Sequence, residues 1–178
     1  MRHAFSRRLF QLAGIAILSA SAAFAQQAPP IGNAPVPPIL LAAKKVFISN
    51  AGSDSGLFPH PFSGDPDRAY NQFYGAISAG DRFEVVGDPA EADLVFELQL
   101  TSPSGPQSPN KQNGASDPLP MFRLTIFDRN THYVLWALTE SIDPAYQQKT
   151  HDHNFDQALA AIVSDLKRVT TKPAAQTP

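Results

Sequence analysis

His151-Asp152-His153 is the place where this sequence sets two imidazoles beside a carboxylate. Imidazole nitrogens are common zinc ligands, and two histidines one residue apart face the same way on a strand. His60 and His132 are the candidates for a further ligand. A metal held by His151 and His153 would suit a small metal-dependent hydrolase. The simpler account is a helix start: Asp152 and Asn154 are both good N-caps, and the histidines are then solvated. No catalytic residue, metal or cofactor is assigned on this motif.

Ser53-Asp54-Ser55 follows an apolar segment, where a nucleophile or a phosphate loop would sit. A nucleophile elbow needs Gly-x-Ser-x-Gly, but Gly52 and Gly56 bracket Asp54 instead. A phosphate loop needs a lysine and an immediate helix, and the next helical pattern begins only near Asp65. Turn chemistry explains the segment. Asp54, Asp65 and Asp67 lack the ligand spacing of a calcium loop, and Asp65 and Asp67 read as helix-capping residues. Asp93 and Asp128 form no dyad that spacing alone can place. Trp136 (the only tryptophan), Phe127 and Tyr133 are either core or a recognition surface on an open sheet face.

These residues need elements to position them. Residues 45–50 read as a strand and 50–56 as a loop. Asp65-Pro66-Asp67 opens a helix with Tyr70, Phe73, Tyr74 and Ile77 on one face, and Gly80 ends it. Residues 82–86 form a second strand. In 94–100 Leu94, Phe96, Leu98 and Leu100 alternate with other residues, so one face is buried. Residues 101–120 are a polar, proline-rich loop, expected to be disordered or else to act as a lid over a small ligand. Strands follow at 121–127 and 133–142, joined by a turn at 128–131. A last helix starts near Asn154, with Phe155, Leu159, Ile162, Leu166 and Val169 as its stripe, and a polar tail runs over 171–178. The order β-α-β-β-β-β-α predicts an α+β two-layer sandwich: a mostly antiparallel sheet of four to five strands with both helices on one face. The other face stays partly open.

The chain has 178 residues, enough for one such domain, expected over 44–170. Residues 1–25 read as a signal peptide: Arg2, Arg7 and Arg8, then an apolar run over 9–18, then Ala23-Phe24-Ala25 before Gln26. Cleavage is expected between Ala25 and Gln26, leaving no stable membrane anchor. Ser6-Arg7-Arg8-Leu9-Phe10 resembles the twin-arginine export motif, without its usual Leu-Lys continuation. Residues 26–43 read as a proline-rich linker. There is no cysteine, so no disulfide, thiolate metal site, cysteine nucleophile or lipid-modified cysteine. Cleavage removes three of 14 basic residues against 16 acidic ones and leaves a balance of −5. An acidic domain without a basic cluster is a poor ligand for nucleic acid.

Glu91-Ala92-Asp93-Leu94-Val95-Phe96, Leu124-Thr125-Ile126-Phe127-Asp128, Thr131 and Val134-Leu135-Trp136 resemble a pattern of small exported envelope domains of unknown function. The likeness extends loosely to curli-secretion-type and TolB N-terminal-type periplasmic domains and covers residues 45–169. It implies an α/β envelope domain and no catalytic residue. The expectation is a periplasmic or secreted, non-catalytic module that meets another envelope protein through an open sheet face or an edge strand.

Overall fold

The computed structural model describes residues 35–107 and 116–171. The signal segment with Ala25 and Gln26 lies outside them, as do the start of the linker and the tail beyond 171. In chain order the elements are α1 (Pro38–Ala42), β1 (Lys45–Ser53), α2 (Arg68–Ser78), β2 (Glu84–Val85), β3 (Leu94–Thr101), β4 (Ser104–Gln107), β5 (Ser116–Pro118), β6 (Met121–Asp128), β7 (Val134–Ser141) and α3 (Gln148–Thr170). Five strands form one sheet in the order β2-β1-β3-β6-β7, and β4 pairs with β5 in a separate ribbon.

The fold is the expected α+β sandwich, but its sheet is mixed. β1 runs parallel to both β2 and β3, while β3, β6 and β7 are antiparallel. The cause is α2, which returns the chain to the start of β1 and forces β2 to run the same way. Residues 86–93, with a single 3-10 turn at Pro89–Glu91, then carry the chain to the other side of β1. Carboxylates fasten both ends of the β1–β3 pair. Asp93 accepts the N–H groups of Lys44 (2.7 Å) and Lys45 (2.9 Å). Asp54 accepts the Ser102 N–H (2.7 Å) and the Thr101 hydroxyl (2.8 Å).

One face of the sheet is the core. Val46 and Ile48, the even-numbered residues of β3, and Phe122, Leu124 and Ile126 are buried there against Phe73 and Ile77 of α2 and Phe155, Ile162 and Leu166 of α3. Alternation in the strands and the 3–4 spacing in the helices produce this single interface.

Three sequence expectations are corrected. The linker over 26–43 ends in α1, whose Leu40 is fully buried; Pro37 precedes it and Pro38 sits at the first helical position. The last helix begins at Gln148 rather than near Asn154, because its first turns are held by polar bonds that leave no apolar period to read. The segment 101–120 is not structureless: Ser104 pairs with Pro118 and Gln107 with Ser116.

Candidate functional site

The sheet face away from the helices is the surface these elements leave uncovered. Cross-strand register places Phe47, Val95, Phe127 and Val134 in one row over four strands. At the usual strand spacing this apolar row spans about 14 Å. Ser49, Glu97, Thr125 and Ala137 form the next row, so the face is apolar at one end and polar beyond it.

Two turns rise beside the apolar row and make a groove of about 420 Å³. Phe47, Ser49 and Val95 line it, with Asp88 and Pro89 from one turn and Arg129 and His132 from the other. The turn that carries Arg129 and His132 is built on Asp128. Its buried carboxylate accepts the Thr131 hydroxyl (2.6 Å) and the Asn130 N–H (3.1 Å). The His132 N–H donates to the Asp128 carbonyl (2.8 Å), and His132 sits in the left-handed region at φ 60°. The result is an apolar floor whose rim carries a carboxylate, a guanidinium and an imidazole, so it suits an apolar side chain flanked by polar groups. Of these residues the sequence singles out only His132, as a possible metal ligand; Phe47, Val95 and Arg129 are not read from it as a site.

The other sequence candidates are dispersed. His151 and His153 lie within α3, where two residues turn the side chains roughly 200° apart. His151 packs edge-on against Phe62 at 6.1 Å, and His153 is exposed. His60 pairs with the Gln148 side chain (3.1 Å), and His132 stands in the β6–β7 turn. Asp152 caps no helix: it lies in the second turn of α3, which displaces the capping account as well. Among the described residues no group of three His, Cys, Asp or Glu side chains is placed to hold a metal. The Ser53 hydroxyl donates to the Pro66 carbonyl (2.9 Å). Asp65 accepts the Asp67 N–H and Asp67 accepts the Asn50 amide, each at 2.8 Å, and α2 starts two residues later than Asp65 suggested, with Asp67 in the cap position. Asp93 immediately precedes Leu94, the partner of Asp128, but Asp93 is engaged by the Lys44 and Lys45 N–H groups and Asp128 by its own turn. The aromatic trio splits. Trp136, opposite Ile126, lies on the helix-covered side against the core; Phe127 is on the open face; and Tyr133 is 74% exposed.

One polar network ties the α3 start to the rest. Arg68 reaches Asp152 at 2.6 Å and Asp156 at 2.8 Å, and Asp152 also accepts the Ser63 N–H at 2.9 Å. Burial disfavours the Asp152 charge, but the bonds from Ser63, Arg68 and Gln148 outweigh it and bring the carboxyl from 3.8 to about 2. Asp93 and Asp54 are also held below the ordinary range, mainly by the Lys45 and Ser102 N–H groups. A depressed folded pKa stabilises the fold above the unfolded value, and that stability is lost as pH falls through the folded value. Thermal melting is therefore expected to be level above about pH 4 and to fall steeply between 3.8 and about 2. Asp152→Asn should flatten part of that slope; a wild-type melting temperature unchanged across this window would refute the assignment.

No protein-family model matches the chain, and no curated protein matches it. Solved structures show a low-level likeness. A Xanthomonas campestris protein of the DUF330 family is 12% identical with a TM-score of 0.43, covering 72% of this chain and 82% of that one. An uncharacterized lipoprotein B from Nitrosomonas europaea is 13% identical with a TM-score of 0.41, covering 72% and 83%. Lipoprotein GNA1162 from Neisseria meningitidis is 12% identical with a TM-score of 0.34, covering 70% and 99%. No helix among the described residues is long and apolar enough to cross a membrane.

Proposed function

We propose that this chain is a non-catalytic interaction module of the bacterial cell envelope, binding a partner protein on the open sheet face. The observation that carries this reading is the apolar row Phe47–Val95–Phe127–Val134, left without a covering layer among the described residues. Soluble domains seldom leave a connected apolar strip beside a groove unless something docks there. The polar rows beyond it would form the rim of such an interface. The reading of residues 1–25 as a signal peptide supports a partner in the periplasm or outside the cell. The likeness to curli-secretion-type and TolB N-terminal-type domains belongs to the same proposal.

The test is site-specific photo-cross-linking in cells. A probe at Phe127 is expected to give a protein adduct, and a probe at Gln72 on the exposed side of α2 is expected to give none. Phe47→Glu should weaken capture at least about tenfold, the effect of losing one interface anchor worth about 1.4 kcal/mol or more. Capture equal to wild type in Phe47→Glu would remove the face from consideration.

A second reading, a small-ligand binder, has one observation of its own. A groove of about 470 Å³ at the foot of the β4–β5 ribbon is lined by Asp54, Leu57, Pro61, Ser102 and Pro120. The Ser102 hydroxyl is buried there without a hydrogen-bond partner. Ligand addition that leaves proteolysis of residues 101–120 unchanged would count against it. The hydrolase reading loses its basis, since α3 turns His151 and His153 apart.

A further inference from the structure

The outer edge of β7 carries open backbone hydrogen-bonding groups. The Ile142 N–H donates to the Pro120 carbonyl at 2.8 Å, in step with the β6–β7 register. Alternation in an antiparallel ladder then turns the even-numbered residues of β7 toward β6 and the odd-numbered ones outward. Ala137, Thr139 and Ser141 thus offer N–H and C=O groups away from the sheet, and among the described residues no strand pairs with them. The opposite edge is stepped: β2 has two residues and pairs only with Lys45 and Val46 of β1.

Exposed apolar side chains gather at both ends of this edge. Tyr133 (74%) and Val134 (55%) stand at its start. Leu119 (40%) precedes the Pro120 that meets its end, and Tyr146 (107%) lies in the segment leaving it. Among the described residues Tyr74 is the one other large apolar side chain this exposed.

We propose that β7 pairs antiparallel with β7 of a second copy, about a two-fold axis at Ala137, and joins the two sheets into one. Antiparallel pairing brings the start of one strand to the end of the other. The Tyr133–Val134 end therefore meets the Leu119–Tyr146 end of the other copy, which a peptide of unrelated sequence would not match. Ala137 adds no bulk on the axis. Trp136, part-buried on the helix side, comes opposite Leu138 of the partner subunit and extends the core stripe across the junction. Thr139 comes opposite Leu135 of the partner subunit. The bulge at Leu135 and the half-buried Glu140 bound the paired stretch. A two-fold pairing uses the same edge of both copies, so it closes as a dimer and does not grow. The inference does not depend on the open face, and its variants leave Phe47 and Phe127 untouched.

Light scattering of the purified chain tests it. The expected mass is twice that of the monomer. Thr139→Pro should halve it while the circular dichroism stays that of the folded domain, because that N–H points outward and serves no bond to β6. Ala137→Cys gives the chain one cysteine at a position about 5.5 Å from its mate between Cα atoms. It should form a disulfide-linked dimer on oxidation, while Glu84→Cys on the opposite edge should not. A monomer at all concentrations, a dimer that survives Thr139→Pro, or equal linking through Glu84→Cys would each overturn the proposal. So would a cross-link from position 137 only to a different protein.

Discussion

Phe155→Ala is expected to lower the stability of the domain by about 4 kcal/mol, in the range for truncating a fully buried phenylalanine. Phe155 has no exposed surface. Its ring stands edge-on to Phe122 at 5.0 Å, tilted to Phe62 at 5.1 Å and edge-on to Phe58 at 6.3 Å. The Arg68 guanidinium covers its face at 4.3 Å. Three elements meet on this ring: β6, α3 and the 54–67 loop. Removing it leaves a cavity that none of them can close alone, and it takes the aromatic cover from the cation that holds Asp152 and Asp156. Phe155→Leu keeps most of the volume and should cost about 1.5 kcal/mol or less. Urea unfolding followed by circular dichroism measures both. A loss below about 1 kcal/mol for the alanine variant would mean the cluster is not the packing centre.

Phe155 also marks where the sequence was legible. From Phe155 onward the 3–4 spacing of apolar residues reveals α3; before it, Gln148 to Asn154 are polar and carry no period. That part is helical because Gln148 donates to the Pro61 carbonyl (2.6 Å) and Asp152 binds Arg68 and Ser63, contacts between residues more than 80 positions apart. The strands were legible because Leu94 to Leu100 and Phe122 to Ile126 alternate. Parallel pairing of β1 was not read, although the helix between the first two strands implied it. Leu40 was hidden by the prolines around it, which signal a linker and equally open a short helix. On the open face, Phe127 stands out in the sequence as a possible recognition residue, while Phe47 and Val95 do not. The alignment of Phe47, Val95 and Phe127 is a property of strand register, and no local pattern encodes it.

Arg82→Ala is expected to destabilise the fold by about 3 kcal/mol, from the loss of several hydrogen bonds to one charged group. Arg82 is part-buried, and its guanidinium donates to four carbonyls: Ala43 (2.6 Å), Leu40 (2.9 Å), Leu41 (3.1 Å) and, through Nε, Thr170 (3.0 Å). The first three end α1 and the fourth ends α3. The last carbonyls of a helix lack intrahelical donors and carry the negative end of the dipole, so one cation between two such ends serves both. The same group lies over the Phe83 ring at 4.3 Å. Burial alone pushes the Arg82 pKa down. Without it α1 retains only Leu40 as a buried anchor. Melting should fall by about 10 °C, and amide exchange should accelerate at Leu40 and Ala43 while the centres of β3 and β6 stay protected. Arg82→Lys keeps the charge but cannot spread over four carbonyls, so it should recover no more than about half of the loss. Uniform acceleration of exchange through the whole sheet would show that Arg82 supports the core at large and not the two helix ends it joins.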